Sequence, residues 1–195
     1  TQDSTTYNQA HWVKKVRYTD DTAVENLEIG GRNLLLNSNF KTDSYNGWNN
    51  IYGTHQITQD GYIKTYTSVS AAARIEKAFT LSEIGTFTFS VKVKTNVAIS
   101  WYNWDGLSIQ DIKVKLIEDD FELHSITFTN AGAGSKIIRG YQSNAPIGTT
   151  TLIEWEKLEK GNKATDWSPA PEDVQAEIDT EKTRINDILS DNVAD

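Results

Sequence analysis

The chain has 195 residues, with 19 Lys and Arg against 27 Asp and Glu, for a formal net charge of −8; 37% of it is hydrophobic. That is enough apolar material for a packed core, and no apolar run approaches the ~18 residues of a membrane span, so neither wholesale disorder nor a membrane partner is expected. No basic face is available to neutralise phosphates, which argues against nucleic acid, and the absence of Cys excludes disulfides and thiolate metal sites.

The first zone, residues 1–31, opens polar ("TQDSTTYNQ"), passes through a short strand-like stretch, "HWVKKVRY", and ends at Gly30-Gly31. It reads as a connector or the end of an upstream domain, with Trp12 as an anchor on the main body. No Met is present, even at position 1, which suggests a piece of a longer chain or a processed product.

The second zone, residues 32–169, reads as all-β. In Thr86–Thr95, "TFTFSVKVKT", Phe87, Phe89, Val91 and Val93 fall on one face and Thr88, Ser90, Lys92 and Lys94 on the other. Period two with one apolar face predicts a half-buried strand. "DIKVKLI" (111–117) repeats the pattern. Further strands are expected at 32–37, 55–57, 62–66, 72–79, 97–104, 125–129, 136–142 and 151–157. Turn signals separate them: Asp60-Gly61, Asp105-Gly106 and the Gly/Ala run 131–134. Short strands without intervening helices predict an antiparallel β-sandwich of jelly-roll type.

The third zone, residues 170–195, follows Ser168-Pro169-Ala170-Pro171 and predicts a C-terminal α-helix. Glu172 and Asp173 sit where the helix dipole favours acids. Val174, Ile178, Ile185, Ile188 and Leu189 form one stripe. The step of seven from 178 to 185 fits a heptad seam interrupted by Glu181. Two readings follow, the start of a coiled coil or an amphipathic helix docked on its own domain.

"SWYNWDG" (100–106) places three large rings within four positions. If 97–104 is one strand, Val97, Ile99 and Trp101 share a core face, while Ala98, Ser100, Tyr102 and Trp104 share the other. Exposed rings suit the apolar C–H face of a sugar, with hydroxyls met by amides, carboxylates or Arg. The competing reading packs Tyr102 and Trp104 under a loop. The candidate stacking platforms are Tyr102 and Trp104, with Trp48 and Tyr52 second. Asn103, Asp105, Arg74 and Gln142 are candidate hydrogen-bonding residues.

"GRNLLLNSNF…NGW" (31–48) and "IEWEKLEKGNKATDWSPAPED" (153–173) resemble a known family. They are similar to the jelly-roll carbohydrate-binding modules of glycan-degrading enzymes, and more narrowly to the versions built into tail-tip and baseplate proteins of siphophages that infect Gram-positive bacteria. The resemblance brackets most of the chain. It implies a two-sheet sandwich that binds host cell-surface saccharide, a virion location, other tail or baseplate proteins as partners, and a trimeric or otherwise symmetric assembly, which the C-terminal helix suits. It also implies that Trp167 belongs to the core and leaves Trp48 of the "GW" between core and binding. Many such modules hold a structural calcium through an acid after "N-x-F" and an acid in the last strand. Here Lys41 follows Phe40 and only Glu154 remains, so no cofactor is expected. A structural spacer without its own ligand is the alternative.

Catalysis is not expected. Glu154 and Glu156 share a strand face about 7 Å apart, within reach of a glycosidase pair, but neighbouring strand carboxylates read as a solvated face. Trp155, alternating with Ile153, reads as core. Glu118-Asp119-Asp120 reads as a turn. His11, His55 and His124 lack metal-ligand spacing, and no Gly-x-Ser-x-Gly or phosphate loop is present.

Overall fold

The computed structural model describes residues 30–40, 48–57, 64–68, 74–95, 100–103, 121–141 and 146–191. Within them run β1 (Trp48–Ile51), β2 (Gly53–Ile57), β3 (Lys64–Ser68), β4 (Arg74–Leu81), β5 (Gly85–Thr95), β6 (Ser100–Asn103), β7 (Glu122–Asn130), β8 (Gly134–Tyr141), β9 (Thr150–Lys160) and the helix α1 (Pro171–Asp191). The strands form two antiparallel sheets, ordered β1-β4-β8-β6 and β2-β3-β9-β5-β7. They make the predicted sandwich, followed by the predicted helix. The expected strand at 111–117, the turns at 60–61 and 105–106, and Trp12 lie outside the described residues. β1 is an addition: "WNNI" has no alternation, and its strand form comes from pairing with β4.

The core follows the period-two pattern. Phe87, Phe89, Val91 and Val93 of β5 are each at most 2% exposed, and Phe87 stacks on Phe128 of β7 with ring centroids 6.1 Å apart. Ile75 and Ile138 meet them from the four-stranded sheet. Burying each such side chain contributes about 1.5–3 kcal/mol. The opposite face of β5 departs from expectation. Thr88 and Ser90 are also buried, because the chain after β9 turns back over them. Thr88 Oγ1 donates to the Gly161 carbonyl (2.8 Å). Lys157, in the same covered layer, donates to Thr165 Oγ1 (2.6 Å) and the Asp166 carbonyl (2.7 Å). Glu159 accepts from Thr165 N (2.8 Å) and Oγ1 (2.6 Å). Lys157 and Glu159 are almost fully buried and pair with each other at 3.4 Å.

A bulge in β9 redirects three residues. Lys92 pairs with Trp155 but Val93 pairs with Ile153, so Glu154 is an extra residue. On one side of it Glu156 and Leu158 face the core; on the other, Ile153 and Thr151 do. Glu154 and Glu156 therefore do not share a face. Glu156 is sealed inside, and Glu154 pairs with Lys92 at 2.7 Å on the outer side. Trp155 likewise parts from Ile153. It is half-buried beside Lys92, on the outer face rather than in the core.

The strand expected at 32–37 is an extended segment ending in a turn. It occupies the stretch of β9's edge that β3 leaves open. Leu34 N donates to the Leu158 carbonyl and Glu156 N to the Ser38 carbonyl, both at 2.8 Å. Asn33, fully buried, prevents a regular strand by turning its amide on the backbone. Its Oδ1 accepts from Leu35 N (3.1 Å) and Leu158 N (3.3 Å), and its Nδ2 donates to Ser38 Oγ (2.7 Å) and the Ser168 carbonyl (3.0 Å). One side chain thus joins the entering segment, the last strand and the exit. Gly30 stands beside this clasp, where a β-carbon would collide with the Lys160 carbonyl oxygen.

Asn33→Ala orphans several buried groups and is expected to cost about 2–4 kcal/mol. In urea unfolding followed by tryptophan fluorescence, the midpoint should fall with little change in slope.

Candidate functional site

The outer face of the four-stranded sheet is assembled by register. Along β4, Ile75, Lys77 and Leu81 turn inward and are buried, while Ala78 and Thr80 are exposed. Position 74 and Glu76 share the outward parity of Ala78 and Thr80. Pairing with β1, β8 and β6 then aligns two rows. One contains Ile51, Arg74, Tyr141 and Ser100; the next contains Asn49, Glu76, Arg139 and Tyr102. Arg74, Ser100, Tyr102 and Tyr141 are placed by backbone register alone.

Glu76 and Arg139 form the centre. Arg139 Nε donates to Glu76 Oε2 at 2.9 Å, and the two side chains are 13% and 14% exposed. Partial desolvation strengthens a charge-assisted hydrogen bond and fixes both heads. The pair sets a rigid donor group beside a rigid acceptor on the outward parity of the sheet. Asn49 is exposed at its flank, and Ile137 and Ala78 lie in the next row.

Of the residues expected from the sequence, Tyr102 and Arg74 fall in these two rows. Tyr52 follows Ile51 directly, at the rim. It is 61% exposed with φ of 55°, and it alone links β1 of one sheet to β2 of the other. A bulky residue in the left-handed region is strained backbone. Asn103 pairs opposite the buried Ile138, on the inward parity, apart from Tyr102. Trp104, Asp105 and Gln142 lie outside the described residues. Trp48 requires a correction. It is 3% exposed, packed edge-on against Phe40 at 5.1 Å, so no sugar can stack on it. Trp167 is half-buried, its indole N–H donating to Ser38 Oγ at 3.2 Å.

Glu76, Arg139, Asn49 and Tyr141 were not singled out from the sequence. Their common signal is outward parity in a strand, but Glu76 and Arg139, 63 positions apart, come together only once β4 pairs with β8.

The implied calcium does not fit these residues. Glu154 is committed to Lys92, and residue 41 lies outside the described set. Where the entering segment, β9 and α1 converge, a resident cation already stands. Lys77 is 5% exposed, with its ammonium 5.4 Å from the centre of the Trp48 ring. Burial lowers its pKa, and the charges of Asp173 and Glu156 oppose that shift. Asp173 also accepts from Asn37 N at 2.7 Å. Among the described residues, no group of three His, Cys, Asp or Glu is placed to hold a metal.

A cleft of about 880 Å³ lies elsewhere, between β4's second half and the entering segment. Leu34, Leu36, Phe79 and Phe87 line it, together with the ion-paired residues Arg32 and Glu172, and Lys160 and Glu83. The Lys160 hydrogen bond and charge hold the Glu83 carboxyl below its ordinary pKa. Its charged groups are thus engaged with one another.

No protein-family model matches the chain, and no curated protein sequence matches it. Solved structures do. TmCBM61, in complex with β-1,4-galactotriose, has a TM-score of 0.51 at 13% identity, covering 67% of this chain and 99% of that one. The CBM22-1 xylan-binding domain from Paenibacillus barcinonensis Xyn10C has a TM-score of 0.52 at 10% identity, covering 70% and 99%. The fold is therefore the β-sandwich of carbohydrate-binding modules.

Lys77→Met leaves buried carboxylate charge uncompensated and should lower stability by about 3–5 kcal/mol. The parent protein's melting temperature should be unchanged by EDTA or added calcium; differential scanning fluorimetry reads both effects.

Proposed function

We propose that the module, residues 32–169, is a non-catalytic carbohydrate-binding module that takes saccharide on the outer face of the four-stranded sheet. The observation that carries this is the Glu76–Arg139 pair, held at 2.9 Å on the outward parity of the sheet's two central strands. Its chemistry matches vicinal sugar hydroxyls. The guanidinium donates to hydroxyl oxygens and the carboxylate accepts from hydroxyl hydrogens. Both are oriented beforehand, so little ordering entropy is lost on binding. Tyr102, in the same row by register, and Tyr141, in the adjacent one, would offer rings to the pyranose C–H face. Asn49 and Arg74 would reach the remaining hydroxyls.

The named ligands of the structurally similar modules, a galactotriose and a xylan, support the ligand class. The separation of Glu154 from Glu156 by the bulge supports binding without hydrolysis. The phage setting rests on the resemblance of "NLLLNSNF", "EKLEKG" and "TDWSPAPED" to siphophage tail-tip and baseplate modules. On that reading the chain sits in the virion among other tail proteins and recognises host cell-wall polysaccharide. Binding is weak at each site and strengthened by repetition, because linked sites make later contacts intramolecular.

The test is binding of a fluorescent fusion to host cells, competed by purified wall polysaccharide. The double substitution Glu76→Gln with Arg139→Gln removes both charges together, so neither is left unpaired. It and Tyr102→Ala should each weaken binding at least about tenfold, roughly 1.4 kcal/mol, with near-ultraviolet circular dichroism unchanged. Trp104→Ala tests the neighbouring platform expected from the sequence. Full binding by the first two variants would exclude this face, and a parent protein that binds no glycan would leave the spacer reading.

A further inference from the structure

Trp155 is a large ring that neither the core nor the Glu76–Arg139 face uses. Without the bulge it would continue the inward alternation of Thr151 and Ile153. The extra residue Glu154 turns it onto the outer side of the five-stranded sheet. Bulges re-aim a side chain by giving up ladder pairing, and tryptophan is highly buried on average. Here the ring stays half-buried, and among the described residues it packs on no other ring. Lys92 lies opposite it on β5, and Leu123, 57% exposed, lies opposite Lys92 on β7. Trp155, Lys92 and Leu123 therefore form one row across three strands. Lys92 Nζ stands 2.7 Å from Glu154 Oε2, and these two side chains are 36% and 34% exposed. The returning segment 161–166 makes its polar contacts with Thr88, Lys157 and Glu159, in the rows that follow.

We propose that this row is a second saccharide-binding site, on the sheet opposite the first. The indole face meets the C–H face of a sugar ring. Glu154 and Lys92 hold an acceptor and a donor side by side for neighbouring hydroxyls. An ammonium carries several donors and a carboxylate several lone pairs, so their mutual contact leaves capacity on both. Leu123 extends the apolar floor at one end. The extent of the row selects the occupant. Two strand spacings make it about 10 Å across, whereas a stable protein interface buries about 800 Å² on each partner, far more than one row presents. A short stretch of sugar fits it. The proposal rests on the saccharide reading for its ligand class but shares no residue with the Glu76–Arg139 face. With a site on each sheet, one module holds two stretches of glycan at once.

Nuclear magnetic resonance of the full chain tests this, with Trp155→Phe used to assign the Trp155 indole N–H. Titration with β-1,4-galactotriose or xylotriose should shift that resonance saturably with at least one of the two. The shift should survive Glu76→Gln with Arg139→Gln, and Lys92→Gln with Glu154→Gln should weaken it at least fivefold. On immobilised xylan, Trp155→Ala should reduce retention at least tenfold, because two linked sites become one, with the amide spectrum of the sandwich kept. A Trp155 resonance that neither trisaccharide moves overturns this site, whatever the first face does. Loss of the shift in the Glu76 and Arg139 variant, or unchanged retention of Trp155→Ala, does the same. A shift that persists in the Glu76 and Arg139 variant, with no response that the variant removes, keeps this site and overturns the first. Self-association that Trp155→Ala abolishes would make the row a contact between copies and overturn the proposal.

Discussion

One buried carboxamide closes the fold. Asn33 hydrogen-bonds to Leu35 N and the Ser38 hydroxyl just after it, to the last strand and to the segment leaving it. Each bond contributes only about 0.5–1.5 kcal/mol net, but together they determine where three stretches of chain lie. β9 is the spine of the larger sheet, and one edge of it is shared between β3 and residues 34–38. Without the clasp that edge is half bare, Leu35 and Phe40 lose their places in the core, and the first turn of α1 loses its tie to Asn37.

The same spine decides what each outer surface can do. The bulge at Glu154 brings Glu156 inside and Trp155 outside, so one extra residue changes the chemistry of both faces. Beyond it, residues 161–166 return over Thr88, Lys157 and Glu159 and seal that part of the five-stranded sheet. The central rows of the four-stranded sheet instead carry an oriented charge pair on their outer face. The saccharide reading rests on that pair.

The parts of this architecture visible beforehand were those written in local periodicity. Alternation at Phe87–Val93 gave both strand and face, and the stripe from Val174 to Ile188 gave the helix. Other features are joint properties of distant segments. Trp48 became core because Phe40 packs against its ring. Glu76 and Arg139 met because β4 pairs with β8 in one register. The bulge broke the alternation that had grouped Trp155 with Ile153. At 32–37 the apolar run suggested a strand, but the Asn33 amide competed for the backbone and prevailed. At 100–103 alternation gave the outward parity of Tyr102, but not the charged residues that share its row.

The placement of the clasp also has a mechanical meaning. Entry at Gly31 and exit at Ser168 are held side by side, the Ser168 hydroxyl donating to the Gly31 carbonyl at 3.3 Å. Tension applied between the preceding chain and the helix therefore loads this short junction directly and bypasses the strands. The module hangs from the line of force as a side loop. Its sheets keep their shape while the polypeptide is pulled, until the junction itself gives way.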